Sequence, residues 1–110
     1  MSNATQLTNQ IINFIYERGG FAWRAQSTGL YDASRGGFRT APKKGVSDIL
    51  AVFKGLPIAI EVKIGKDKLS DEQDGFLKNF THAGGMATVA KSFEEFVRWW
   101  EDKVIHTSVA

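Results

Sequence analysis

The sequence predicts a single α/β domain built on a mixed β-sheet, and two observations carry this prediction. First, 43% of the 110 residues are apolar, including eight Phe and three Trp, which is enough for one core and too little for two domains. Second, helical and strand patterns follow each other in the order helix, three strands, helix, strand, helix. The helix between the third and fourth strands predicts a crossover connection.

The first part of the chain predicts a helix, a short strand and a loop. Residues 5–18 should form an amphipathic helix, since apolar side chains recur at helical spacing up to Ile15 and a Gly-Gly pair at 19–20 stops it. The aromatic run at 21–23 predicts a strand. Residues 24–45 are rich in Gly, Ser, Thr and Arg without apolar periodicity, so we expect a long basic loop. A loop of that length in a compact domain is usually functional.

The second part predicts a hairpin followed by a helix, a strand and a helix. Residues 47–53 and 56–64 are rich in β-branched and aliphatic residues, and the Lys-Gly pair between them fits a tight turn. The capping-box patterns Ser-Asp-Glu-Gln and Ser-Phe-Glu-Glu each indicate the start of a helix. These later elements are a helix over about 71–83, a strand over 86–90 and a last helix that runs to about 105.

The predicted hairpin brings two carboxylates together. If Lys54 and Gly55 form its loop, counting outward along both strands places Asp48 opposite Glu61. Because side chains alternate along a strand, Lys63 shares the face of Glu61. Such a group is also typical of a solvated strand face or a surface ion-pair cluster, in which an exposed pair contributes about 0–1 kcal/mol and no function.

The functional interpretation of this group is a metal site. Carboxylates about 5 Å apart, as opposed residues on adjacent strands are, repel each other unless a divalent cation lies between them. The chain has no Cys, and ligation by carboxylates and water suits Mg²⁺ or Mn²⁺. Such an ion activates a water molecule, while a nearby ammonium orients that water or stabilises developing charge. Asp, Glu and Lys are therefore sufficient for phosphodiester hydrolysis.

Positive charge is concentrated in the predicted loop, although the net charge of the chain is only +2. Arginine and lysine side chains on a Gly-rich loop suit contact with the phosphate backbone of a nucleic acid without base reading. The alternative is a merely solvated surface loop. The five cations of this segment are Arg24, Arg35, Arg39, Lys43 and Lys44.

These motifs, in this order, resemble the VRR-NUC domains of the PD-(D/E)XK nuclease superfamily over nearly the whole chain. The Asp and Glu-X-Lys pattern alone is weak, whereas the ordered set is fairly specific. The resemblance is carried by Lys44–Asp48 (KGVSD), Ile60–Lys63 (IEVK), Leu69–Gln73 (LSDEQ), Ala83–Gly85 before a Val-containing strand, and Ser92–Glu95 (SFEE).

The resemblance implies a restriction-endonuclease-like αβββαβ core with a central mixed sheet flanked by helices, in one nuclease domain over residues 1–110. It also implies that Asp48 and Glu61 ligate Mg²⁺ or Mn²⁺. The backbone carbonyl of Val62 is expected to supply another oxygen, and Lys63 is expected to assist the nucleophilic water.

Three further expectations come from comparing the chain with the family pattern. Gln73 matches a glutamine of the crossover helix and should point toward the active site, or else serve only as the capping partner of Ser70. Ser47 stands where the family usually has Pro, and this change should be tolerated because the residue is not a ligand. The glutamate usual in the first helix is missing, so Gln6 or Gln10 is expected to approach the site, leaving a one-metal mechanism.

The function that the resemblance implies is a metal-dependent, structure-selective DNA endonuclease acting at branched substrates such as four-way junctions or flaps. Stand-alone members resemble Holliday junction resolvases, which act as homodimers, so a homodimer is expected, with an exposed member of the Trp99–Trp100 pair as one possible contact. The alternative of a different class is a catalytically silent nucleic-acid-binding module on the same fold. Without a membrane-length apolar run or a leader, we expect a cytoplasmic protein.

Overall fold

The computed structural model describes residues 3–25, 30–32, 37–39 and 45–108, and for 30–32, 37–39 and 108 it describes the backbone alone. The elements are α1 (Asn3–Glu17), β1 (Phe21–Arg24), β2 (Leu30–Asp32), β3 (Gly37–Arg39), β4 (Ile49–Phe53), β5 (Leu56–Val62), α2 (Asp71–His82), β6 (Met86–Ala90), α3 (Phe93–Trp99), a π-helical turn (Trp100–Val104) and α4 (Ile105–Ser108).

The main sheet has four strands in the order β1, β4, β5, β6. β1, β4 and β5 pair antiparallel, whereas β6 pairs parallel to β5. The parallel pairing requires a crossover, which α2 provides between β5 and β6. The predicted αβββαβ order and the central mixed sheet are therefore confirmed.

The tight turn of the central hairpin sets the register of the sheet. Lys54 and Gly55 both have positive φ, 50° and 80°, as the central residues of a type I′ turn require. Phe53 consequently pairs with Leu56, and the ladder continues to Ile49 opposite Ile60. The register predicted by counting outward from the turn is confirmed.

The segment predicted as a loop over 24–45 contains two short strands. β2 and β3 pair antiparallel, with Tyr31 opposite Phe38, and form a separate two-stranded sheet. The prediction of one long loop was wrong at β2 and β3, because strands of three residues are too short to produce a detectable alternation. Three of the predicted nucleic-acid contacts, Arg35, Lys43 and Lys44, lie outside the described residues.

The main core lies between one face of the sheet and the helices α1 and α3. Phe14 of α1 is at its centre and makes edge-to-face contacts with Phe93, Phe96 and Trp100. The buried aliphatic side chains of β4 and β5 complete this cluster. The opposite face of the sheet is covered by α2 over β5 and β6, where Leu77 is buried.

The C-terminal helix is interrupted by the π-helical turn. Trp100 and Val104, the first and last residues of that turn, are both buried, whereas Trp99 is half-buried. The sequence predicted one continuous helix here, since no Gly or Pro marks the interruption. Within the described ranges, no helix is both long and apolar enough to cross a membrane.

Candidate active site

Asp48 and Glu61 meet at the end of the sheet where β4 begins and β5 ends. Asp48 comes immediately before β4, one step beyond the pair of Ile49 and Ile60, which brings it beside Glu61. The backbone N–H of Val62 donates a 2.8 Å hydrogen bond to Oδ2 of Asp48. This bond fixes the Asp48 carboxylate next to the neighbouring strand.

The two carboxylates line a cavity of about 270 Å³. Most of the residues predicted to form the active site line the same cavity. The sheet contributes the metal-binding and water-activating candidates, and α1 and α2 contribute the remaining walls. From the sheet and its strand ends come Arg24, Asp48, Glu61, Val62 and Lys63, and from the start of α2 comes Gln73.

Glu61 is the most unusual residue in the cavity. Its side chain is 1% exposed, and neither carboxylate oxygen has a hydrogen-bond partner in the described part of the chain. Burial, followed by the nearby Asp48 carboxylate, raises the pKa of Glu61 from 4.5 to about 8, while the charge of Lys63 acts in the opposite direction. When protonated, Glu61 can share that proton with Asp48, but its ionised form has no donor. A solvated ion-pair cluster is therefore excluded.

A hard divalent cation fits this arrangement. A buried, unpartnered carboxylate is costly, and a cation bound between Glu61 and Asp48 would remove both the desolvation cost and the mutual repulsion. Across the described ranges, no three His, Cys, Asp or Glu side chains come together as a metal site. Further oxygens would have to come from water, substrate or the backbone carbonyl of Val62.

Gln73 has a structural role in addition to its place in the cavity wall. Its backbone N–H donates to Oγ of Ser70 at 3.1 Å, and the N–H of Ser70 donates to Oε1 of Gln73 at 2.9 Å. This is the predicted capping box at the start of α2. Because the capping bond uses Oε1, the Nε2 amide group is the part of Gln73 available to a ligand.

Helix α1 contributes small side chains where the family pattern has a glutamate. Ala4, Thr5 and Thr8 line the cavity, and the Thr8 hydroxyl donates to the carbonyl of Ala4 at 2.8 Å. Gln6 and Gln10 are exposed and do not line it, so the expectation that either approaches the site was wrong. Gln6 follows Ala4 by two positions, and Gln10 follows Thr8 by two positions. Two positions correspond to about 200° around a helix, so both glutamines lie on the far side of α1 from the cavity.

Among the five predicted nucleic-acid contacts, Arg24 is the one whose side chain is described. Its guanidinium Nη2 donates to Oδ1 of Asn9 at 2.8 Å, which holds the side chain against α1 at the cavity wall. Arg39 is described by its backbone alone, in β3. The cavity thus has two cations, Arg24 and Lys63, beside its two carboxylates.

Comparison with known proteins agrees with this architecture. The family profile of the VRR-NUC domain matches residues 36–94, more than half of the chain. Among solved structures, the chain is similar to that of Hjc, a Holliday junction resolvase from the archaeal hyperthermophile Archaeoglobus fulgidus, with 25% sequence identity and a TM-score of 0.56. That match covers 80% of this chain and 67% of Hjc. No curated protein matches the sequence.

Proposed function

The chain belongs to the VRR-NUC domain family, and from this premise we propose that it is a divalent-metal-dependent endonuclease that hydrolyses phosphodiester bonds in branched DNA. The observation that carries the proposal is the buried, unpartnered carboxylate of Glu61 beside Asp48. A folded protein rarely retains such a group unless a ligand or a catalytic task compensates for it.

Asp48, Glu61 and the backbone carbonyl of Val62 are the proposed ligands of Mg²⁺ or Mn²⁺. When bound, such an ion polarises the phosphoryl oxygen and lowers the pKa of a water molecule. The hydrogen bond from Val62 N–H uses Oδ2 of Asp48, so that Oδ1 and both oxygens of Glu61 can serve as ligands. The small side chains of α1 and the two-carboxylate set favour one metal ion over two.

Lys63 is the proposed catalytic lysine. It comes directly after β5, and its N–H donates to the carbonyl of Ala90 at 3.0 Å, so its backbone is anchored to β6. From the wall of the cavity its ammonium can orient the attacking water and stabilise negative charge that develops on the phosphoryl oxygens. The Nε2 group of Gln73 is a second donor available to the same oxygens.

Arg24 is proposed to hold the DNA backbone at the mouth of this site. Its bond to Asn9 keeps the guanidinium in place, and a guanidinium binds a phosphate through two donors at once. Arg35, Arg39, Lys43 and Lys44 are proposed to extend this contact along the backbone. Binding should therefore weaken steeply as salt increases.

We further propose a homodimer that acts on four-way junctions or flaps, because cutting two strands at related positions requires two sites. The similar Hjc structure is that of a Holliday junction resolvase. The buried Trp100 is not available for such a contact. Exposed aromatic side chains lie instead at the edge strand β1, where Phe21 contacts Trp23 and also Tyr16 of α1.

A catalytically silent DNA-binding module is the second candidate. The observation that favours it is the helix α1 wall, in which Thr8 stands near the carboxylates and no third acidic side chain joins them in the described ranges. Such a protein would bind DNA through the same cations without hydrolysing it.

One experiment separates the two candidates. Labelled four-way junction, flap, single-stranded and duplex DNA is incubated with Mg²⁺, Mn²⁺ or EDTA, with Lys63→Ala as the control variant. We expect cleavage that requires the metal, prefers branched DNA and is about 10²- to 10³-fold slower in the variant. Binding of wild type without cleavage under all metal conditions would support the silent module and overturn the enzyme.

A further inference from the structure

A second cavity, of about 290 Å³, adjoins the candidate active site and shares Lys63 with it. It lies beyond the ends of β5 and β6, on the side of the site away from Arg24. Three of its six lining residues are lysines, and one is acidic. They are Lys63, Asp67, Lys68, Leu69, Val89 and Lys91.

The topology of the sheet explains why lysines from distant parts of the sequence meet here. β5 and β6 are parallel, and Val62 pairs with Ala90, so the residues that follow these strands emerge side by side. Those residues are Lys63 and Lys91, and the bond from Lys63 N–H to the Ala90 carbonyl joins their backbones. Ligands of open α/β sheets bind beyond the carboxyl ends of parallel strands.

The connection between β5 and α2 supplies the third lysine. Its backbone turns at Ile64, whose carbonyl accepts from the N–H of Asp67 at 3.2 Å, and Lys68 follows immediately. Lys68 and Lys91 are exposed, and Lys63 is half-buried. Across the described residues, none of these three ammonium groups is engaged in an ion pair. Asp67 offsets one of the three positive charges, so the described lining of the cavity has a local excess of two.

Concave surfaces lined by one sign of charge concentrate ions of the opposite sign. We propose that this cavity is a phosphate subsite in which Lys68 and Lys91 bind the backbone phosphate next to the one that reacts at the candidate active site. The inference rests on the proposed nuclease function. Since Lys63 borders both cavities, a single DNA strand that crosses this edge of the sheet contacts both sites.

The subsite gives Lys63 and Lys91 different tasks. Lys63 acts on the reacting phosphate, whereas Lys68 and Lys91 position the strand through a phosphate that does not react. Loss of Lys91 should therefore weaken binding and raise KM while kcat changes little, which is the signature of uniform binding.

The first test compares Lys91→Gln and Lys68→Gln with the matched control Lys103→Gln, which removes an exposed lysine of the π-helical turn. DNA affinity is measured in EDTA across a salt series, and cleavage is measured in Mg²⁺. We expect each subsite variant to bind about two- to fivefold more weakly and to lower the salt slope by about 1, with unchanged melting temperature. Equal behaviour of all three variants would overturn the subsite.

The second test assigns the phosphate. Phosphates flanking the branch point of a four-way junction are replaced one at a time by neutral methylphosphonates, and the affinity of wild type and Lys91→Gln is measured for each substrate. We expect one flanking position at which neutralisation weakens wild type but not the variant. A wild-type penalty that the variant retains at every position would refute the assignment.

The two proposals fail in distinguishable ways. If wild type binds but does not cleave the unmodified substrate, the nuclease function falls, while the methylphosphonate comparison still decides whether Lys91 contacts a phosphate. If wild type cleaves, and Lys91→Gln matches Lys103→Gln in the first test and wild type in the second, the nuclease function is supported and the phosphate subsite is contradicted.

Discussion

Oδ2 of Asp48 accepts a 2.8 Å hydrogen bond from the backbone N–H of Val62, the residue that follows Glu61. The end of β5 therefore supplies the N–H group that holds the Asp48 carboxylate, and it also carries the Glu61 carboxylate. This arrangement keeps two acidic groups together, and within the described ranges no cation forms an ion pair with either of them. It predicts that a divalent cation stabilises the fold.

Divalent metal should raise the melting temperature of wild type and leave that of Asp48→Asn unchanged. A ligand that binds the folded state alone stabilises it by about 2.7 kcal/mol at one hundred times its Kd. Thermal unfolding with Mn²⁺, Mg²⁺ or EDTA measures the effect. Asp67→Asn, which removes a carboxylate outside the cavity of Asp48 and Glu61, is the matched control and should respond like wild type.

Lys63→Ala should lower kcat by about 10²- to 10³-fold, the range found when one donor to a developing oxyanion is removed. Metal-induced stabilisation should persist in this variant, because the lysine is not a proposed ligand. Lys66→Ala, which removes an exposed lysine from the connection between β5 and α2, is the control. Loss of metal stabilisation in Lys63→Ala would contradict the separate roles given to the lysine and the carboxylates.

Glu61 should make the stability of the metal-free protein fall as the pH rises. Its pKa is about 8 in the folded protein and 4.5 ordinarily, so between these values the folded state retains a proton that the unfolded state has lost. The contribution of Glu61 to the free energy of unfolding is fully present below pH 4.5 and decreases as the pH rises to about 8. The decrease is at most about 1.4 kcal/mol per pH unit.

Glu61→Gln is the control for this pH dependence, because the amide has the shape of the protonated acid and does not ionise. Urea unfolding in EDTA at several pH values should show wild type approaching the variant at low pH and falling below it near pH 8. Parallel stability curves for the two proteins would show that Glu61 does not hold its proton.

The sequence predicts the carboxylate pair well because a local feature fixes its register. A two-residue turn at Lys54 and Gly55 leaves one way to align the strands, and alternation then assigns each side chain to a face. The capping box of Ser70 and Gln73 is equally local, and it marks the start of α2 correctly.

The walls of the site were less predictable because they depend on packing between distant segments. Thr8 carries no charge or motif that marks it as part of a cavity, and its place follows from the way α1 crosses the sheet. The helix between β5 and β6 predicts a crossover, but the register that brings Lys91 next to Lys63 is set by tertiary pairing and has no local signal. The three-residue strands β2 and β3 were missed for lack of periodicity.

Gly45→Ala should destabilise the protein by about 3 kcal/mol, since two costs combine. Gly45 has a φ of 78°, and a Cβ there would clash with the carbonyl oxygen of Glu72, in the backbone of α2. The start of α2, including Gln73, would have to shift away from the cavity.

Gly55→Ala is the matched control for Gly45→Ala. Its φ of 80° is similar, but nothing lies within 4 Å of the added Cβ, so the expected loss is about 1 kcal/mol. Equilibrium unfolding of both variants measures the difference. Equal losses would mean that the close approach of Gly45 to α2 contributes nothing.

The aromatic edge of the sheet predicts where two copies meet. Phe21 and Trp23 are 57% and 41% exposed on one face of the edge strand β1, and Val52, opposite Phe21 on β4, is 40% exposed. Contiguous exposed apolar surface of this kind marks an interaction site. Sedimentation equilibrium at tens of micromolar should give twice the 12.2 kDa chain mass for wild type and a monomer for the double variant Phe21→Ser, Trp23→Ser.

Ile105→Ser provides the matched control for the dimer, because Ile105 is also a large exposed apolar residue, at 36%, but belongs to the C-terminal helix α4. It should leave the mass at the dimer value. If dimerisation supports paired cutting, the Phe21 and Trp23 variant should nick one strand of a four-way junction at low protein concentration where wild type cuts both. A monomeric wild type, or a dimer that survives the double substitution, would rule out this face as the interface.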